Sequence, residues 1–313
     1  MIPQQQNIQN RITAGRFTLP AAILLAAICQ IVAHLLHPSL NVVTNLLSLS
    51  TVVITAYLLI VMNNSFALIR KRASVQSTFY ILLASISPLL LHQLNGNLST
   101  LSLLIALHFL FLSYQQREHA SYLFHAFTFL GLGSLFLPPL IAFIPLFWLG
   151  SYQFQSLTLR GFCASLLGFA LPYWFLLGHL IWHRQLALFD DYSAQWLPFQ
   201  ESLSTITPWQ IATLCYLMLL FIVSAIHCLA TGFDDKLRTR AFLQFLISLT
   251  VCLVLALLAY PQQTDSWLLL LLLPVSILSG HLFVLTHSRS SNLFFLLCTA
   301  LWLLLYLYNI LQQ

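Results

Sequence analysis

From Phe17 to Leu311 the chain is a succession of apolar runs, and none of them carries an Asp, Glu, Lys or Arg in its middle. A helix crossing roughly 30 Å of hydrocarbon needs about 20 such residues, so the pattern reads as one membrane crossing after another. Water-soluble domains keep about 25% charged residues to cover their surfaces. Here 6% of residues are charged and 59% are hydrophobic, which excludes a water-soluble globule. Strands of a membrane barrel alternate polar and apolar residues, and these runs do not. The fold class is all-α, a polytopic transmembrane helical bundle.

Polar breaks divide the chain into about 11 spans, at 17–36, 42–62, 75–92, 98–114, 121–137, 139–154, 161–182, 208–230, 241–260, 267–286 and 292–311. A polar tail, residues 1–16, precedes one transmembrane domain over residues 17–313. The basic lead and first apolar run have no small-x-small cleavage site followed by polar sequence, so the first run reads as an uncleaved helix. Pro88, Pro145, Pro172 and Pro274 lie within spans, where they are expected to kink them. All six cysteines fall in apolar runs without a CxxC pair, so neither a disulfide framework nor a zinc site is indicated.

The uncharged run from Ser121 to Phe154 decides the topology. As one helix it would be about 51 Å long, far beyond the hydrocarbon thickness. Two limbs meeting at Pro138-Pro139 fit, because a proline pair removes two N–H donors and restricts the residue before it. Lys and Arg stay on the cytoplasmic side of bacterial membranes and test this independently. With a turn at the proline pair, all 12 Lys and Arg residues except Arg184 fall inside. A single crossing would instead put Arg160, Lys236, Arg238 and Arg240 outside. The N-terminus is therefore expected in the cytoplasm, the C-terminus in the periplasm, and the loop at about 183–207 outside.

That loop, HRQLALFDDYSAQWLPFQESLSTIT, carries the weak candidates for chemistry. Asp190 and Asp191 are paired acids suited to a general base or a divalent cation, and the Arg184 guanidinium suits a phosphate. His179 and His183 are four residues apart, and His34 and His37 three apart, so each pair shares a helix face suited to a transition metal. Trp196, Phe199 and Trp209 among polar residues fit the blander reading, an amphipathic segment anchored at the membrane interface. His108, His125, Asn45 and Gln76 are polar residues in or beside spans, expected to face the bundle interior and join helices. The absence of charge at mid-span argues against an ion-coupled transporter. No phosphate-binding, hydrolase, zinc-protease or dinucleotide motif occurs, so neither a cofactor nor a nucleic-acid partner is expected.

Asn63-Asn64, the basic patch after them, Ser77, Thr78 and Tyr80, the stretch LSLLIALHFLFLSYQQREHASYLFHAFTFLGLGSLFLPPLIAFIPLFWLG and then Arg160 resemble an uncharacterised family. It is a Bacteroidota family of multi-pass inner-membrane proteins, known as a domain of unknown function. The resemblance covers roughly residues 60–180 and implies a bacterial inner (cytoplasmic) membrane location with no assigned activity. More distantly, the same stretch is similar to the membrane modules of GT-C glycosyltransferases, which use polyprenyl-phosphate sugars. Their essential acid sits in the external loop after the first span, and here that loop is HPSLN, without an acid.

The expected function is a non-catalytic partner in cell-envelope assembly, with the bilayer and another membrane protein as partners. The alternatives are a GT-C-like enzyme acting on a polyprenyl-phosphate lipid at the periplasmic face, and a transporter.

Overall fold

The computed structural model describes residues 8–13, 15, 17–36, 42–69, 74–198, 203–286 and 288–312. Its helices begin with α1 (Ile8–Thr13), α2 (Thr18–Leu36), α3 (Val42–Phe66), α4 (Val75–Ala84) and α5 (Pro88–His92). They continue with α6 (Leu94–Leu112), α7 (Ala120–Phe136), α8 (Ile144–Gln153), α9 (Leu159–Trp182) and α10 (Ala187–Ala194). The last are α11 (Pro208–Thr231), α12 (Leu237–Ala259), α13 (Thr264–Leu285) and α14 (Arg289–Gln312). The described residues form no strand. The chain divides into two compact units, and α12 and α13 lend residues to both.

Seven helical segments are long and apolar enough to cross a membrane, those at α3, α6, α9, α11, α12, α13 and α14, so this is a multi-pass membrane protein. The sequence pattern suggests more, because hydropathy counts apolar residues and not helix breaks. The expected span at 75–92 is two pieces, α4 of 10 residues and α5 of 5. Pro88 opens α5 and Pro145 lies in the first turn of α8, where a missing N–H leaves no bond unmade. Of these four prolines, Pro172 and Pro274 lie inside helices.

The first unit comprises Met1–Leu94, Thr207–Ile247 and Leu271–Gln313. At the break between α4 and α5, α14 supplies side-chain donors to backbone carbonyls. Trp302 Nε1 donates to Leu82 O at 2.7 Å, and Asn309 Nδ2 donates to Ile86 O at 3.1 Å. Gln76 meets the expectation of a helix-joining polar residue: it is buried, and Nε2 donates to Leu59 O of α3 at 3.0 Å. Ser77 Oγ donates to Ala56 O at 2.8 Å beside it. From the N-terminal segment, Gln9 Nε2 donates to Phe283 O at 2.7 Å and Thr286 O at 2.9 Å, capping the end of α13.

The second unit comprises Asn95–Ile206 and Ser248–Leu270. Here the chain doubles back at the proline pair. After α7, residues Pro138–Phe143 form a 3₁₀ turn, and α8 returns so that the Phe127 ring lies 5.9 Å from Phe147 and 6.2 Å from Trp148. At the far end, Gln115 N donates to Phe154 O at 2.9 Å, so the returning limb ends beside the start of α7. Six residues of 3₁₀ rise about 2 Å each and ten of α about 1.5 Å each, which gives the limb the reach α7 requires.

α9 then runs parallel to α7, as it must if the chain has returned. Ser134 Oγ lies 2.7 Å from Tyr173 Oη, and earlier along both helices Gly168 sits against Phe124. The buried face of α9 is Gly161, Ser165, Gly168 and Pro172, small residues at helical spacing that let the two backbones approach. A Cβ at Gly168 would stand 2.3 Å from Phe124 O, a backbone atom with no freedom to yield. A Cβ at Gly178 on the same helix would meet no neighbouring helix within 4 Å.

Gly168→Ala is expected to destabilise the protein by about 1–3 kcal/mol through overpacking. Gly178→Ala should be neutral or stabilise by up to about 1 kcal/mol, since Ala is the better helix former. Thermal unfolding in a mild detergent separates the two, and equal melting temperatures would contradict the packing described.

Candidate functional site

α9 stops after Trp182 because the chain turns left-handed at Arg184, with φ of 55°. Arg184 N donates to Ile181 O at 3.1 Å and Gln185 N to Leu180 O at 2.9 Å, the pair of bonds that closes a helix end. Glycine is the usual residue there, and the strain at Arg184 belongs to helix termination. His179 and His183, one turn apart on this last stretch, bring their rings to 4.4 Å, and both are exposed, as is Arg184. Asp190 and Asp191 lie in α10. His34 lies in α2, and His37 falls outside the described residues. Among the described residues no three His, Cys, Asp or Glu side chains stand close enough to hold a metal ion.

The expected interfacial segment is in part a helix, and its anchor is a tyrosine that the sequence reading passed over. Tyr192 of α10 donates its hydroxyl to Ser134 O at the end of α7. Its Oη also lies 3.3 Å from Tyr173 Oη of α9. Burial, and then the neighbouring Tyr173, push the Tyr192 phenol above its ordinary range, so it stays a neutral donor. Trp196 packs edge-on against Tyr192 at 6.2 Å, and its carbonyl accepts from Tyr260 Oη at 2.8 Å. Phe199 falls outside the described residues, while Trp209 is buried in α11. Three tyrosines, at 173, 192 and 260, thus tie the 183–198 segment to α7, α9 and the end of α12. Of the polar residues expected to face inward, His125 is exposed, beside Phe109 at 5.0 Å.

A second polar constellation lies in the first unit, to which the sequence reading assigned no role. Residues Gly232–Asp234 form a 3₁₀ turn after α11, and the turn delivers Asp235 to a buried position. Its Oδ2 lies 3.3 Å from Nε2 of His281, a fully buried residue of α13. The other ring nitrogen of His281, Nδ1, lies 3.4 Å from Cys228 Sγ, and the His227 ring is 5.8 Å away. Cys228, Gly232, Asp235, Arg240 and Gln244 line a cavity of about 30 Å³. That volume holds about two waters and no organic substrate. A carboxylate so buried is costly unless a polar group meets it, and the His281 ring stands beside it. Arg240 also places its guanidinium 5.2 Å over the Phe233 ring, and Arg238 lies 5.3 Å over Phe66 and 5.4 Å over Phe242. Arg240 thus holds the α11–α12 turn, and Arg238 joins the start of α12 to the end of α3, through cation–π contacts.

A Cys, His, Asp sequence of contacts invites comparison with a nucleophile and its base. The surroundings favour a structural part. Reactive thiolates sit in electropositive, partly exposed surroundings, whereas Cys228 is buried against an acid. The cluster joins α11, the following turn and α13.

The chain belongs to a family described as "Family of unknown function (DUF6427)", which matches residues 16–312. No curated protein and no solved structure matches it.

The cysteines test the packing directly. In detergent, single-cysteine variants retaining Cys163 or Cys215, both exposed, should react quickly with a membrane-permeant maleimide. Variants retaining Cys228 or Cys298, both buried, should react only as the protein unfolds. Fast reaction at Cys228 in the folded protein would make it a reactive thiol and the cluster a site of chemistry.

Proposed function

We propose that this chain is a multi-pass protein of the bacterial inner membrane, without catalysis of its own, that acts as the partner of another membrane protein in cell-envelope assembly. Its N-terminus lies in the cytoplasm and its C-terminus in the periplasm, as the distribution of Lys and Arg favours. In this reading the broken segment at 75–92 and the returning limb at 139–154 complete about 11 crossings.

The observation that carries the reading is the state of α9. Its small-residue face is occupied by α7, and only 22% of its apolar window is buried. The remainder presents Leu167, Trp174, Phe175 and Trp182, which are 67%, 78%, 69% and 85% exposed. Large aromatic side chains anchor protein–protein contacts because they bury much surface at small cost in conformational entropy. The polar groups near the end of this helix do not line the largest cavity described. That space is walled by residues of α2, α3, α4 and α5. The buried Asp235–His281 contact adjoins room for water alone, which weakens the GT-C-like alternative.

The test is complementation of a deletion strain. Variants Arg184→Ala, His179→Ala with His183→Ala, and Asp190→Ala with Asp191→Ala should restore the strain as the natural protein does. Replacement of Trp174 and Phe175 by Ala should not, while leaving the protein stably in the membrane. A candidate-site variant that matches the deletion would establish chemistry at the loop and end this reading. Orientation is checked separately: Lys236→Cys should resist an impermeant thiol reagent in intact cells, and Arg184→Cys should react.

A further inference from the structure

The largest cavity described, about 480 Å³, is a cleft in the first unit lined by α2, α3, α4 and α5. Its walls are almost wholly apolar, with Ile23, Ala27 and Ile31 on one side and Leu49 and Val53 on the other. The polar exceptions include the amides of Gln30 and Asn45. A cavity of this volume lies in the range of sites that hold a small molecule, about 300–1,000 Å³. Water does not fill space with such a lining. Left empty, its walls would forgo dispersion contacts over their whole area, so an apolar occupant is favoured.

The shape selects the occupant. The α2 wall runs from Ile23 to Leu35, about 18 Å at 1.5 Å per residue. One leaflet contributes about half of the roughly 30 Å hydrocarbon core, so the cleft is one leaflet deep. Ala26 and Ala27 keep the α2 wall low. Tyr306 Oη, donating to Cys29 O at 2.8 Å, ties α2 to α14 and holds that wall in place. Asn45 lies in the first turn of α3, at the end of the cleft where α2 and α3 connect, while Gln30 is buried deeper. A thin, flexible, unbranched chain with an ester group near Asn45 matches this arrangement. A polyprenyl chain, longer than one leaflet and methyl-branched, does not.

We infer that the cleft between α2 and α3 binds one acyl chain of a membrane phospholipid, taken from the leaflet on the side of the α2–α3 connection, with its ester at the level of Asn45. α2 thereby packs against the bundle through lipid as well as through α4. This site is independent of the role of α9, and either reading stands if the other fails.

The test is lipid retention measured by native mass spectrometry on the full chain purified in mild detergent. The natural protein should keep a single phospholipid through a delipidating wash. Ala27→Trp, which fills the cleft, should lose most of it. Leu24→Trp, on the exposed side of α2, should keep it. A natural protein that carries no lipid, one that carries a polyprenyl phosphate, or an Ala27→Trp variant that retains phospholipid fully would each overturn the inference. Should Ala27→Trp fail to fold, the natural protein in phosphatidylcholine vesicles with a diazirine on one acyl chain gives the answer. Adducts should concentrate in the 23–35 and 45–53 peptides. Adducts spread evenly over exposed helices such as α9 would refute a specific site.

Discussion

Inside hydrocarbon every backbone N–H and C=O must find its partner within the protein, and the irregular parts of this fold are organised by that requirement. Straight helices meet it by themselves. At two places where a helix stops, side chains from elsewhere in the first unit complete the bonding. Trp302 and Asn309 of α14 serve the break between α4 and α5, and Gln9 serves the end of α13. Each of these residues is fixed less by its own helix than by the carbonyl it answers. The same need explains why α13 can be so deeply enclosed, with 94% of its apolar window buried. Its ladder is regular apart from the bond that Pro274 cannot make, and Gln9 caps its end.

Much of the architecture was legible because the constraint leaves marks in composition. Charge-free runs announced helices, and the proline pair announced the turn. The distribution of Lys and Arg favoured a chain that returns there, and the Phe127–Phe147 contact shows that it does. Crossing number was less legible. Segment 75–92 is apolar throughout, so hydropathy reads it as continuous. Yet Ser85, Ser87 and Pro88 together end one helix and begin another. A serine pair beside a proline was the available signal, and it is ordinarily absorbed by a kink.

Sites were less legible than fold, for a geometric reason. Asp235 and His281 belong to different helical hairpins, and nothing in their local sequence announces that a buried acid and a buried imidazole meet. One hint existed: His281 interrupts an otherwise apolar run and must find a partner there. The histidines that spacing did single out, His179 and His183, do converge. They do so because an i, i+4 pair on one helix needs no tertiary information. Tyr192 escaped notice because a tyrosine in a loop looks like an interfacial anchor. Here it is the donor that fastens α10 to the end of α7.

The placement of polar groups also separates two kinds of surface. Titratable side chains that are buried, Asp235 and His281, adjoin space for water only, so their contact holds the α11–α12 turn and α13 in register. The cleft between α2 and α3, by contrast, has hardly any polarity in its walls. The small cavity beside Asp235 is lined by polar groups, and the cleft of α2 and α3 is lined almost wholly by apolar ones. What this arrangement does offer is apolar surface of two grades. The cleft of α2 and α3 is a concave apolar surface, and α9 presents Trp174, Phe175 and Trp182 as an exposed aromatic one.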